Sequence, residues 1–335
     1  MKKENNHDDK YYHVWILVDY NLGVISSVTY ELLGVGRYLA DKLGVKLGAV
    51  GLGFNIENKT IDLIKYGADI VYIIDDKNYE KFNDEIYSES YFRLIEMYKP
   101  EIILIGATIY GRSMAPKIAS MLNTGLTADC TGLDIDLETK NLIQIRPAFG
   151  GNLMATIICP YKRPQIATVR PKVMKAKKVD TSRKGKVIKP KINININSKL
   201  VIIDCVKTLS EVVNLSEAEV IVSVGRGIEK KENLILIEEL AKVLGAAIGA
   251  SRAVVDSGWI GYEHQIGQTG ITVSPKLYIA CGISGAVQHL IGMSSANKIV
   301  AINKDPEAEI FQIADIGIVG DINEFIPELI RIYKA

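Results

Sequence analysis

Short, unbroken apolar runs alternate with stretches of helical spacing along most of the chain. In the first half the runs fall at 14–18, 45–51, 69–74 and 102–106, and residues 27–43, 57–65 and 91–98 between them carry apolar side chains at helical intervals. Strands apolar on both faces belong to a parallel sheet covered by helices on each side. The pattern resumes after residue 200, with strands predicted at 220–224, 277–281, 299–302 and 316–319 and helices at 233–244, 306–311 and 322–333. In the helix at 233–244, Leu234, Ile237, Leu240, Ala241 and Leu244 share one face. The fold class is therefore α/β: two Rossmann-like layered domains with mainly parallel sheets. The first run is not followed by a GxGxxG turn.

Between the two halves the pattern breaks. Residues 170–191 hold ten Lys/Arg against one acid, Asp180. Such a run reads as a solvated linker that could also meet an acidic partner. The alternation Ile192-Asn193-Ile194-Asn195-Ile196-Asn197 reads as an edge strand. The expected organisation is an N-terminal α/β domain at 1–171, a basic linker with edge strand at 172–198, and a C-terminal domain at 199–335.

Composition adds exclusions. A net charge of +1 gives no global field for nucleic acid or an anionic membrane. No apolar run approaches the roughly 20 residues that span a bilayer, and the first ten residues lack the apolar core of a signal peptide. Cys130, Cys159, Cys205 and Cys281 stand singly, without metal-ligand or redox spacing, and read as buried reduced thiols. A cytoplasmic protein is expected.

Candidate chemistry gathers between Gly249 and His289, GASRAVVDSGWIGYEHQIGQTGITVSPKLYIACGISGAVQH. Ser251 and Arg252 follow an apolar run. Gln265, Ile266, Gly267, Gln268 and Thr269 form a loop, and Ser284, Gly285, Ala286, Val287, Gln288 and His289 follow a strand. A glycine turn between a strand and a helix start leaves backbone N–H groups free for an anion. One such turn serves packing alone in many α/β proteins, but the hydrogen-bonding groups here are too many for a mere turn. Arg226 sits in the turn Gly225-Arg226-Gly227 after the strand at 220–224. Asn303 could end a strand, and Asp321 could cap the last helix. Arg112, after the run at 102–106, suits a phosphate, a partner carboxylate or plain solvent.

GASRAVVDSGW, QIGQTG, LYIACGISGAVQH and IVAINKDPEAEIFQIADIGIVGD keep the order and spacing of the FAD-binding domain of electron transfer flavoprotein alpha subunits, which the chain resembles from about Gly225 to Asp321. TGLTADCT and RPAFGGN resemble the N-terminal domain of that family more loosely, near its contact with the beta subunit. The resemblance implies FAD as cofactor. It places Arg226, Ser251, Ser284 and the residues through Gln288 on the cofactor, Asn303 and Asp321 toward the adenosine, and Arg252 against the flavin ring. Gln268 and Thr269 line the N5 side, and His289 approaches the N1–C2=O2 edge. A charge-assisted hydrogen bond at that edge, worth about 1.5–3 kcal/mol, raises the first one-electron potential by roughly 60–130 mV. One departure is Ile271, which stands where many family members have Lys.

The implied function is that of the alpha subunit of a heterodimer with an electron transfer flavoprotein beta subunit. It passes electrons between a beta-subunit flavin and an acyl-CoA dehydrogenase-type flavoenzyme. The stretch Gly258–Gln265 looks closer to flavin-bifurcating members, in which NADH reduces the beta flavin and ferredoxin or flavodoxin takes the low-potential electron. A non-bifurcating carrier is the alternative within the family, and a non-redox nucleotide-binding regulatory module is the alternative outside it. No catalytic side-chain set or metal cluster is expected, because the cofactor carries the chemistry.

Overall fold

The computed structural model describes residues 11–21, 23–148, 153–193, 200, 202, 215 and 218–334. Its described residues from 11 to 202 form one compact unit and those from 215 on form another.

The first unit runs β1 (Tyr12–Leu17), a short hairpin of β2 (Tyr20–Asn21) and β3 (Val24–Ile25), α1 (Ser27–Leu43), β4 (Leu47–Gly53), α2 (Thr60–Lys65), β5 (Ile70–Asp75), α3 (Asp84–Tyr98), β6 (Pro100–Gly106) and α4 (Ile109–Met121). There follow β7 (Leu126–Cys130), β8 (Gly132–Ile135), β9 (Leu142–Ala148), β10 (Leu153–Ile157), β11 (Gln165–Val169) and β12 (Lys186–Ile188). Seven strands make one parallel sheet, β12-β5-β4-β1-β6-β11-β7. Alternate residues of β1 serve opposite faces, as the period of two requires. Val14 and Ile16 join Leu32, Leu33 and Leu63 of α1 and α2, whereas Trp15 and Leu17 join Tyr91, Leu94 and Met114 of α3 and α4. A separate antiparallel sheet, β10-β9-β8, was not anticipated by the apolar runs.

Helix α3 begins a full two turns before the expected residue 91. The Asn83 side chain accepts from the amides of Glu85 (3.0 Å) and Ile86 (3.2 Å), and Asp84 and Glu85 occupy the first turn. Cap and dipole together start a helix that the apolar spacing alone does not show.

The basic run is not a free linker. Glu31 of α1, 9% exposed, accepts the Lys172 amide at 2.8 Å and a backbone hydrogen bond from Met174. Val173 and Met174 pack on the core, and a Cβ at Gly34 would stand 2.3 Å from the Lys175 carbonyl. Arg183 pairs with Asp69 at 2.7 Å, Lys189 with Glu57 at 2.6 Å, and β12 lies parallel to β5. Backbone groups and a few side chains anchor the segment while Lys175, Lys177, Lys178 and Lys184 stay exposed, so charge does not prevent docking. The described part of the expected 172–198 linker therefore belongs to the first unit. The expected edge strand also differs: Ile192 and Asn193 are in no strand, residues 194–197 lie outside the described residues, and β12 is the edge. Cys130 and Cys281 are buried free thiols, Cys159 is only half-buried, and Cys205 lies outside the described residues.

The second unit runs β13 (Val220–Val224), α5 (Leu234–Leu244), β14 (Ala247–Ala250), α6 (Arg252–Asp256), β15 (Leu277–Cys281), α7 (Val287–Met293), β16 (Ile299–Asn303), β17 (Ile316–Val319) and α8 (Ile322–Lys334). Its five strands are parallel, in the order β14-β13-β15-β16-β17. One face carries Ile237 and Leu240 of α5 with Ile326 and Ile330 of α8, and the other carries Ile266, Tyr278 and Met293. The expected helix at 306–311 is a 3-10 turn at Glu309–Gln312.

Candidate functional site

Strand order in the second unit reverses between β13 and β15, and the carboxyl ends of strands at such a point are where open α/β sheets hold ligands. Expected site residues lie at or just past all five of these ends. Arg226 follows β13, Ser251 follows β14, Ser284 to His289 follow β15, Asn303 ends β16, and Asp321 follows β17. The turns at the reversal touch through backbone: the Gly225 amide donates to the Cys281 carbonyl (2.8 Å) and the Gly227 amide to the Gly282 carbonyl (3.0 Å).

Beyond β15, Ser284, Ala286, Val287 and Gln288 are exposed while Gly285 is buried. Among the described residues, no acceptor is placed on the amides of Gly285, Ala286, Val287 and Gln288. Helix α7 begins at Val287, so the amides of Gly285 and Ala286 belong to the turn before it and those of Val287 and Gln288 to its first turn. Gly285 has φ +95°, and a Cβ there would stand 2.2 Å from the Ile310 nitrogen, which itself donates to the Ser284 carbonyl at 3.0 Å. Glycine is thus demanded by packing on the Glu309–Gln312 turn, in addition to any ligand.

The loop of Gln265 to Ile271 folds over the other face. Its ends meet through the Ile271 amide and the Gln265 carbonyl (2.7 Å), the Gln265 side chain donates to the Thr269 hydroxyl (3.0 Å), and the Gln268 amide donates to the Gln288 carbonyl (2.7 Å). Gly267 backs directly onto α7, where a Cβ at Gly292 would stand 2.4 Å from the Gly267 nitrogen. The side chains of Gln268 and Thr269 remain exposed. Ile271, at the position noted for its missing charge, packs against the core beside Ile266.

Cations at the rim are paired with carboxylates. Arg252, 70% exposed, lies 3.2 Å from Asp256 one turn on. Lys304 joins Glu229 (2.7 Å) and Asp321 (3.0 Å), linking the ends of three strands. Asp321 also accepts from the amide (2.8 Å) and side chain (3.0 Å) of Asn323 at the start of α8, so its capping role is real. Asn303 donates to the Ile283 carbonyl at 2.9 Å and accepts from the Asp305 amide at 3.0 Å, which braces the β15 turn against β16.

His289, expected at the flavin N1–C2=O2 edge, is a buried residue of α7. It is 6% exposed, with Nδ1 at 3.0 Å from the Ile266 carbonyl and Nε2 at 2.9 Å from the Tyr278 hydroxyl. Burial lowers its pKa to about 4, against the opposing pull of the Ile266 carbonyl. The imidazole is neutral at pH 7, and positive charge near a ligand falls to Arg226, Arg252 and Lys304. Sequence reasoning missed Tyr278, Asp256 and Lys304. A tyrosine inside a wholly apolar strand signals a buried hydroxyl in need of a partner, and Arg252 and Asp256 have the i,i+4 spacing of a helical pair.

In the first unit, Arg112 lies 2.9 Å from the Ala107 carbonyl and 3.5 Å from Asp129, which Arg170 holds at 2.6 Å. Arg146 and Pro147 lie in β9, and the remainder of RPAFGGN from Phe149 on lies outside the described residues. Among the described residues no group of three His, Cys, Asp or Glu could hold a metal, and no helix is long and apolar enough to cross a membrane.

A doubly wound sheet with free amides, glycine turns and cations at its switch point defines a nucleotide-binding α/β protein. Comparison with known proteins narrows the class. The electron transfer flavoprotein domain matches residues 14–194, and the electron transfer flavoprotein FAD-binding domain matches residues 214–294. An electron transfer flavoprotein subunit alpha of Thermoanaerobacterium thermosaccharolyticum is 56% identical over 97% of this chain and 98% of its own length. One of Clostridium acetobutylicum is 47% identical over 97% of this chain and 98% of its own length. An acryloyl-CoA reductase electron transfer subunit beta of Anaerotignum propionicum is 42% identical over 96% of this chain and 95% of its own length. The chain belongs to the electron transfer flavoprotein alpha subunit family, and its role is electron transfer. FAD is the cofactor of its second unit, and the free amides after β15 with the cations around them fit a dianionic pyrophosphate. Family membership sets aside the non-redox regulatory module.

Proposed function

We propose that the chain binds FAD across the five strand ends of its second unit and passes single electrons between a beta subunit, with which it forms a heterodimer, and an acyl-CoA dehydrogenase-type flavoenzyme in the cytoplasm. The observation that carries this reading is the convergence of Arg226, Ser251, Ser284, Asn303 and Asp321 on one sheet edge from five separate strands. Chance glycine turns would not bring every strand to one ligand.

Bound FAD supplies the one-electron chemistry. The amides of Gly285 to Gln288, with Arg226 and Ser251, hold the pyrophosphate. Asn303 and Asp321 orient the adenosine. Arg252 supplies a permanent charge to the ring, and Gln268 and Thr269 present polar groups from a loop pinned at both ends. Electron delivery to an acyl-CoA-type enzyme is supported by the name of the Anaerotignum relative. The finer form of the reading is bifurcation, with NADH reducing the beta flavin and ferredoxin or flavodoxin accepting one electron; it is supported by the resemblance of Gly258–Gln265. Co-expression with an electron transfer flavoprotein beta subunit and an anaerobic reductive titration test the whole. A yellow complex that reduces an acyl-CoA dehydrogenase is expected, and a colourless complex contradicts it.

A further inference from the structure

Tyr278, His289 and the Ile266 carbonyl form a buried hydrogen-bond chain whose direction follows once the ring is neutral. A carbonyl oxygen only accepts, so Nδ1 of His289, 3.0 Å from the Ile266 carbonyl, carries a proton. A neutral imidazole protonated there has a lone pair on Nε2, and the Tyr278 hydroxyl at 2.9 Å is its donor. Both side chains are buried, Tyr278 completely. Burial pushes the Tyr278 phenol far up, so it keeps its proton to donate. The influences on His289 protonation are desolvation and the Ile266 carbonyl, and among the described residues no charged side chain adds to them.

We propose that Tyr278 is a positioning residue of the cofactor site: its hydroxyl holds His289 as the Nδ1-protonated neutral tautomer, and the Nδ1–H ties the loop bearing Gln268 and Thr269 to the sheet end. The inference rests on the reading that the second unit binds FAD. Residues 288 and 289 then bracket that loop together, since the Gln288 carbonyl takes the Gln268 amide at 2.7 Å while the His289 ring takes the Ile266 carbonyl. Loss of the Tyr278 hydroxyl leaves Nε2 a buried acceptor without a donor, which disfavours the neutral ring. The ring then binds a proton more readily, while its Nδ1–H keeps the Ile266 carbonyl.

The test uses the FAD-loaded heterodimer with 15N-labelled histidine. The chain has four histidines, and the His289 resonances are assigned by their loss in His289→Gln. In the wild type, His289 is expected to be neutral with its proton on Nδ1 from pH 8 down to about pH 5.5. In Tyr278→Phe its titration is expected to rise by about half a unit to one unit, the equivalent of one neutral hydrogen bond. A wild-type His289 that is cationic or protonated on Nε2 at pH 7 overturns the proposal, even where Tyr278→Phe does not fold. So does a folded Tyr278→Phe whose His289 titration matches wild type. Flavin absorbance of the same samples reports on FAD binding separately.

Discussion

The amide of Gly227 donates to the carbonyl of Gly282 at 3.0 Å, joining the turns after β13 and β15 backbone to backbone where the strand order reverses. The approach leaves no room for side chains, since a Cβ at Gly225 would stand 2.1 Å from the Gly282 carbonyl oxygen. Gly225→Ala is expected to cost about 2 kcal/mol, as overpacking does, and to lower FAD content. Gly245→Ala is the control: φ is +61° but nothing lies within 4 Å of its Cβ, so only backbone strain of about 1 kcal/mol is added. Denaturant midpoints of the two variants check the difference, and equal midpoints would contradict it.

Glu31 couples the basic segment to pH. Burial pushes its carboxyl from 4.5 up to about 7, although the Lys172 and Met174 amides favour the ionised form. The folded-state value lies above the ordinary one, so folding favours the protonated acid. Its contribution is complete below about pH 4.5 and is lost as pH rises through about 7. That contribution is roughly 2–3 kcal/mol. Glu31→Gln, which keeps an acceptor oxygen, is expected to flatten the stability profile of the first unit across this window. An unchanged slope would show that another group carries it.

Asp69 anchors the same segment from the sheet side. It accepts from the Leu47 amide at 2.8 Å and pairs with Arg37 at 2.5 Å and Arg183 at 2.7 Å. Burial opposes its ionisation, but these donors hold its pKa below the usual carboxylate value. Asp69→Asn is expected to cost about 2 kcal/mol, because half-buried Arg183 loses its charge partner and buried Arg37 is left with Asp41 alone. Trypsin is then expected to cut at Arg183 and Lys184 several-fold faster than in wild type. Equal cleavage rates would mean that the segment is not held by this pair.

The layered fold was legible in the sequence because parallel strands buried on both faces, such as 102–106 and 277–281, are unbroken apolar runs. The antiparallel strands β8 and β9 were not legible: Gly132–Ile135 is only four residues, and in Leu142–Ala148 the polar Gln144 takes a buried position beside Leu142 while Ile143 and Ile145 are less buried. Lys172 to Lys191 misled for a different reason. A lysine run reports what its side chains do, whereas Glu31 and β5 hold its backbone. The positions proposed for the cofactor fall in local motifs after strands, which the sequence shows. The neutral state of His289 was not legible, because its partners Ile266 and Tyr278 lie 23 and 11 residues away and meet it only in the fold.

Arg252 carries the permanent charge assigned to the flavin ring. Arg252→Gln is expected to lower the first reduction potential of the bound FAD by roughly 40 mV or more, about 1 kcal/mol at 59 mV per 1.4 kcal/mol. The exposure of Arg252 and its pairing with Asp256 keep the figure below that of a buried charge. Potentiometric titration of the heterodimer at fixed pH reads it directly. An unchanged potential would remove Arg252 from the ring.

The claim that the five strand ends of the second unit hold FAD is tested most directly by deuterium exchange of the heterodimer, stripped of FAD and then reloaded. Peptides covering residues 282–289 and 265–271 are expected to exchange about tenfold more slowly in this chain once FAD is bound, because the amides of Gly285 to Gln288 gain acceptors and the loop is held. Protection absent from both peptides, or confined to the first unit, would contradict the account.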